Sequence, residues 1–238
     1  MDGIKLLNIR KKYSVNEKVI PVLEGINLEI PKGEITVVLG RSGCGKTTLL
    51  RVAGRIEEPD AGQIISAGKK DKIAVVFQEP RLMPWLNVWE NVRFGSLEYK
   101  TREEIQFQID RVGLNGFEKA YPNQLSGGMQ QRVSIARAFM SAPTFIMMDE
   151  PFAALDYFTR EQMQKEVLRI QKESGVSILF VTHSIDEALL LGNKIVVLED
   201  GRTKSEFRIE TKNRDLMDSE FILQKKRIMD ELKDRRQL

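Results

Sequence analysis

Eight consecutive residues, Gly40-Arg-Ser-Gly-Cys-Gly45-Lys46-Thr47, hold the densest chemistry in the chain. Glycines at positions 40, 43 and 45 let a backbone curl until successive N–H groups point inward at one anion. Lys46 adds a cation for phosphate oxygens, and the Thr47 hydroxyl is a ligand for Mg²⁺. The spacing G-x-x-x-x-G-K-[ST] is met without a gap, about a one-in-a-hundred coincidence at average residue usage for a chain of this length. The expected ligand is a nucleotide. Its phosphates would rest on Gly40, Arg41, Ser42, Gly43, Cys44, Gly45, Lys46, Thr47 and Thr48. Cys44 is the only cysteine and sits inside this loop. It is expected to be a tolerated loop residue rather than a redox centre, with a thiol pKa lowered by the adjoining helix N-terminus, so that alkylation blocks nucleotide binding.

A second group is acidic. Phe145-Ile-Met-Met precedes Asp149-Glu150, an apolar run that ends on two carboxylates. At the C-terminal mouth of a buried strand, where ligands bind in open parallel sheets, Asp149 would be the partner of Mg²⁺. Glu150 would accept a proton from an attacking water. Met147 and Met148 read as core fillers. A third segment, Leu125-Ser-Gly-Gly-Met-Gln-Gln-Arg132, opens an apolar-periodic stretch. From the residues alone, Ser126-Gly127-Gly128 is either an anion-binding helix start or a plain N-cap.

The elements that must position these groups are legible as alternating strand and helix patterns. Ile4–Tyr13 and Val19–Ile30 are β-rich, with a turn over Pro31–Glu34. Ile35–Leu39 is a continuous apolar run that predicts a strand buried on both faces, and it delivers the chain to Gly40. A helix is expected over Lys46–Ile56, then short strands at Gln63–Ser66 and Lys72–Phe77 around a turn at residues 68–71. Helical spacing dominates Val88–Phe94, Thr101–Val112 and Ser126–Met140, with a capping box at Thr101 and Glu104. Strands return at Thr144–Met148, Val176–Val181 and Lys194–Leu198, separated by helices at Asp156–Glu173 and Ile185–Leu191. Asp200-Gly201 marks a hairpin into Lys204–Ile209. Strands alternating with helices argue a parallel, covered sheet. In the last stretch, Asp218–Leu238, Phe221, Ile228 and Leu232 share a helical face among charges such as Lys225-Lys226-Arg227, which predicts a solvated helix lightly docked on its own domain.

Here the motifs reach a family. Leu125–Arg132 resembles the signature motif of ABC-type ATPases, with Met129 at its fifth position and the anion contacts expected from Ser126, Gly127 and Gly128. The other markers of that family follow in order. Tyr13 resembles the aromatic residue that stacks on adenine, Gln78 the Q-loop glutamine, and Leu155-Asp156 the end of the D-loop. His183, the sole histidine, resembles the switch histidine that contacts the γ-phosphate. The resemblance covers Ile4 to about Gly201. It implies an α/β fold: a P-loop NTPase core with a mainly parallel sheet, an N-terminal antiparallel β-subdomain and an inserted α-helical subdomain. The whole chain, 1–238, would be one such domain. Residues 1–84 and 144–210 would form the catalytic core, 85–143 the helical subdomain with the signature, and 211–238 a helical tail.

The same resemblance implies ATP and Mg²⁺ as cofactors and hydrolysis as the reaction. Thr47, Gln78 and Asp149 would serve the metal; Glu150, His183 and Gln78 would serve catalysis. Because a cassette of this family sandwiches ATP against the signature of another, a second ATP-binding subunit is implied, most simply a second copy. A Q-loop region Gln78–Val92 containing Leu82-Met-Pro-Trp-Leu-Asn-Val88 resembles that of nitrate, sulfonate and taurine importers. That points to an energy-coupling subunit acting on separate transmembrane permease subunits, with an extracytoplasmic solute-binding protein beyond them. Lipid-trafficking or export cassettes are the alternative. A soluble ABC ATPase would be expected to carry two cassettes or a coiled-coil insert, and a non-hydrolysing sensor to lack Glu150, Gln78 or His183.

Composition agrees with these expectations. Thirty-seven basic against thirty-four acidic residues leave a net charge of +3, too weak to argue for nucleic acid. One cysteine forms no internal disulfide. No apolar run approaches the ~18 residues of a transmembrane helix, and the start shows no signal peptide. The chain is expected at the cytoplasmic face of a membrane as a peripheral subunit, without an appended regulatory domain.

Overall fold

The computed structural model describes residues 3–66, 71–209, 214 and 219–232. In chain order the first elements are β1 (Gly3–Val15), β2 (Lys18–Pro31), β3 (Ile35–Leu39), α1 (Lys46–Ala53), β4 (Ala61–Ser66) and β5 (Ile73–Val76). Then come α2 (Val88–Arg93), α3 (Arg102–Arg111), a 3₁₀ turn at Pro122–Gln124, α4 (Gly127–Met140), β6 (Phe145–Asp149) and α5 (Tyr157–Ser174). The chain closes with β7 (Ser177–Thr182), α6 (Ile185–Leu191), β8 (Lys194–Glu199), β9 (Arg202–Arg208) and α7 (Ser219–Leu232). It divides into two compact units, residues 1–69 with 177–238 and residues 70–176.

In the first unit, β1 pairs antiparallel with both β2 and β4. Ile4, Leu6 and, after a break in register, Ile9 are buried on β1 and answered by Leu23, Ile26, Leu28 and Ile30 of β2, all nearly fully buried. The second sheet of this unit runs β7-β3-β8-β9. β3 is parallel to β7 and β8, and β9 returns antiparallel to β8. Every residue of β3 and β7 is buried, as unbroken apolar runs require of strands covered on both faces. The β8–β9 reversal uses Asp200 and Gly201, both at positive φ, as a two-residue hairpin of the I′ kind demands.

In the second unit, β5 is parallel to β6 and the remainder is helical. Local signals set the helix ends. Thr101 and Glu104 close a reciprocal capping box on α3, and Asn87 and Glu90 do the same on α2. Asp156 caps α5, and Gly175 at φ 67° ends it.

Expected boundaries shift by a few residues. α1 ends at Ala53, where Gly54 closes the last turn, and not at Ile56. β9 begins directly after the hairpin, at Arg202. The tail helix is more than lightly docked, because Phe221 and Ile228 are 1% and 0% exposed. Most of the turn expected at 68–71 lies outside the described residues, as do Asp218 and residues 233–238 of the tail. Trp85, in the Leu82–Val88 stretch, is 70% exposed.

Candidate functional site

In the first unit, Leu39 ends β3 opposite Thr182 of β7 and Val197 of β8. The loop that begins at Gly40 and the residue that follows Thr182, His183, therefore leave the sheet at the same edge, and His183 is exposed there. This is the carboxyl edge of parallel strands, where ligands collect.

The glycines of the loop are sterically required. A Cβ at Gly40 would lie 2.5 Å from the Leu198 carbonyl oxygen and 2.6 Å from Cys44 Sγ. Gly45, at φ 102°, would meet the Val22 carbonyl oxygen at 2.8 Å. Gly43 adopts φ 83° with open space around it. The loop is locked by Gly201 N–H donating to the Cys44 carbonyl at 3.2 Å. Lys46 opens α1 and is 5% exposed, its Nζ donating to the Gly40 and Arg41 carbonyls at 3.0 Å each. Arg41, Ser42 and Gly43 are exposed, Thr47 half-buried and Thr48 buried. The arrangement is a glycine cradle with a lysine at the start of a helix, suited to polyphosphate. Cys44 departs from expectation. Burial pushes its thiol above the ordinary range and outweighs the favourable influence of Lys46.

Tyr13, on β1, donates its phenol to Glu57 Oε2 at 2.5 Å, and Glu57 pairs with Arg51 at 3.2 Å. Burial, then the Glu57 carboxylate, raises the Tyr13 pKa. The ring is thus fixed by its hydroxyl while Lys11 Nζ approaches it at 5.8 Å from the centroid. The stretch around His183 is built by three bonds. Thr182 Oγ1 donates to the buried Glu187 at 2.5 Å, Ser184 N–H donates to Thr182 Oγ1 at 3.0 Å, and Glu187 N–H donates to Ser184 Oγ at 3.3 Å.

In the second unit, Val76 of β5 pairs with Met148 of β6, so Gln78 and Glu150 each stand two residues beyond a matched position. Asp149, the last residue of β6, is 5% exposed; a buried carboxylate of this kind needs a cation or a set of donors. Glu150 adopts φ 42°, a left-handed conformation that non-glycine residues hold only where surrounding structure enforces it. Gln78 is exposed, yet its loop is pinned from α4 on both sides. Gln131 Nε2 donates to the Phe77 carbonyl at 3.0 Å, and Arg137 donates to the Pro80 and Arg81 carbonyls at 3.0 and 2.9 Å. Gln131 and Arg137 were not singled out in the sequence. Their signal is a polar side chain inside a run that is otherwise buried.

At the head of α4 the structure shows the N-cap. Ser126 Oγ accepts the Met129 N–H at 3.2 Å, an ordinary cap. Gly127 is exposed, and a Cβ there would meet nothing within 4 Å. Gly128 would press on Leu155 Cδ2 at 3.2 Å and the Ala154 carbonyl at 3.3 Å, so the segment after Glu150 and the start of α4 require a glycine between them. Asp156 is held below the usual carboxyl range by hydrogen bonds from Thr159.

Comparison with known proteins gives concordant findings. The family model for ABC transporters matches residues 23–153. An aliphatic sulfonates import ATP-binding protein of Bacillus thuringiensis subsp. konkukian is 41% identical over 82% of this chain and 80% of its own length. A taurine import ATP-binding protein of Shigella dysenteriae serotype 1 is 47% identical over 76% of this chain and 75% of its own. A dimeric, post-hydrolysis ATP-binding cassette bound to ADP and Pi superposes with a TM-score of 0.81 at 33% identity, covering 87% of this chain and 99% of that one.

Proposed function

The chain belongs to the ABC transporter family and is an ATP hydrolase, and we propose that it is the energy-coupling subunit of an importer for a small anionic solute such as a sulfonate, taurine or nitrate. The observation that carries the nucleotide half of this reading is the Gly40–Thr48 cradle, with buried Lys46 and with His183 at the same sheet edge. The solute class rests on the sulfonate and taurine relatives.

In this reading the loop N–H groups and Lys46 bind the α-, β- and γ-phosphates, and Tyr13 supports the adenine. Glu150 orients a water and takes its proton as the water oxygen bonds to the γ-phosphorus and the bond to the β–γ bridging oxygen breaks. ADP and phosphate leave. His183 donates toward the γ-phosphate. Ser126, Gly127 and Gly128 complete the site of a second ATP-binding subunit, a copy of this chain, by presenting a helix start to the transferring group.

Mg²⁺ fits the donor set. Among the described residues no group of three or more His, Cys, Asp or Glu side chains could hold a metal alone. Thr47 in the first unit, and Gln78 and Asp149 in the second, each carry a hard oxygen donor of the kind Mg²⁺ takes, and these residues would hold the ion in this reading. Bound there, the ion would neutralise charge on the phosphates.

Among the described residues no helix is long and apolar enough to cross a membrane. In the importer reading, which rests on the sulfonate and taurine relatives, the subunit acts on separate permease subunits from the cytoplasmic face, with a solute-binding protein on the far side. Trp85 and the flanking Arg81–Val92 are the proposed permease contact, since an aromatic 70% exposed is a suitable anchor for a partner helix. The test is reconstitution in vesicles with permease subunits of the sulfonate or taurine import type: taurine or an alkanesulfonate should enter only with ATP and with Lys46 intact. Uptake driven equally well by Lys46→Ala, or transport of lipid instead of solute, would refute the assignment.

A further inference from the structure

His183 lies in a two-residue link, His183-Ser184, between a strand that is entirely buried and a helix of seven residues. β7 fixes one side of that link. The other side is only as firm as α6, and a helix of two turns is marginal unless its ends and faces are held from outside.

The C-terminal segment supplies that hold. At the far end of α6, Arg214 donates Nη1 to the Leu190 carbonyl at 2.6 Å, satisfying one of the acceptors a helix end leaves open. At the near end, Lys225 of α7 pairs with Asp186, in the first turn of α6, at 2.6 Å. Between them α7 packs on α6. Phe221 and Ile228, seven residues apart and thus on one face of α7, are almost completely buried. A fourth attachment reaches the phosphate loop itself: Arg41 Nη2 donates to the Leu232 carbonyl at 3.2 Å, where α7 ends.

We propose that Arg214 and α7 form a positioning element for the nucleotide site, which acts through α6 to fix the aim of His183 and which is tied to the phosphate loop by Arg41. This rests on the reading of His183 as the γ-phosphate contact. Arg214 and α7 act at a distance: they restrain the short helix that directly follows His183. A displacement of about 1 Å at a reacting group costs on the order of a hundredfold in rate, so a helix left without its restraints should lower turnover far more than it lowers affinity.

The experiment uses the full chain, with Phe221→Asp to undock α7 and Ile228→Ala as the milder variant should the first fold poorly. Steady-state ATPase, ATP binding and amide hydrogen exchange are measured in parallel. Turnover should fall about tenfold or more. KM for ATP should move less than about threefold, because the cradle is anchored on β3 and α1. Exchange should quicken in residues 184–191 while the β1–β2 amides stay protected. In a His183→Ala background the same substitutions should cost less than about twofold further, as expected when both act on one group. Undiminished turnover with α6 freed overturns the proposal, as does an equal loss in the presence and absence of His183. So does a loss that merely tracks the unfolded fraction. Full activity in His183→Ala alone would instead refute the role assigned to His183, and the route proposed here with it.

Discussion

Replacing Gly40 by alanine separates steric need from backbone need in the phosphate loop. The residue directly follows a fully buried strand, and its new Cβ would stand 2.5 Å from the Leu198 carbonyl oxygen and 2.6 Å from Cys44 Sγ. Both are well inside ordinary contact. The carbonyl belongs to β8 and cannot retreat without moving a strand bonded on both sides, whereas the thiol is the end of a side chain. Overpacking of this kind costs about 1–3 kcal/mol, and in a domain of this size each kcal/mol is worth about 2–4 °C in melting temperature. Gly40→Ala should therefore melt some 2–12 °C lower and bind ATP more weakly, since the relief available is to push the loop outward. Gly43→Ala is the contrast. It meets nothing within 4 Å but sits at φ 83°, so it should cost only the left-handed penalty of roughly 1–2 kcal/mol. Cys44→Ala removes one of the two obstacles at Gly40, and the Gly40→Ala/Cys44→Ala pair should be less destabilised than the sum of the singles by at least about 0.5 kcal/mol. Thermal unfolding followed by circular dichroism, with calorimetric titration of ATP, reads all four proteins. A wild-type melting temperature in Gly40→Ala, or strict additivity with Cys44→Ala, would refute the reasoning.

Three further outcomes are expected. Glu150→Gln should bind ATP normally but lose about 10²- to 10⁴-fold in turnover, because an amide cannot take the proton from water; near-normal steady-state ATPase would remove Glu150 from that role. Cys44, whose thiol is raised by burial, should be less ionised at pH 8 than a free cysteine. It should therefore react more slowly with iodoacetamide, with a rate still climbing above the ordinary thiol pKa, and faster-than-free labelling would contradict the burial argument. Trp85→Asp should leave the melting temperature within the change of about 0.5 kcal/mol normal for surface sites and yet abolish transport in the assembled complex. A proportional loss of stability would show the ring to be structural.

Much of this protein is decided within short stretches of chain. The Gly40–Thr47 spacing, the apolar run into Asp149-Glu150, the Thr101–Glu104 box and the Asp200-Gly201 hairpin each depend on neighbours within a few residues, and each is found where those residues place it. Backbone conformation and caps are local physics, so they are legible without the fold. The long-range decisions are of another kind. That Gly40 must be glycine follows from Leu198, more than 150 residues away in the chain, and the Cys44 pKa follows from what covers the thiol. Gln131 and Arg137 gain their purpose only when α4 lies beside the Gln78 loop. Phe221 and Ile228 show an amphipathic face in sequence, but how deeply that face is buried, and that the helix bearing it meets the one behind His183, are set by packing. A periodicity names a face and not its partner, since burial is a property of two surfaces brought together and only the tertiary structure brings them.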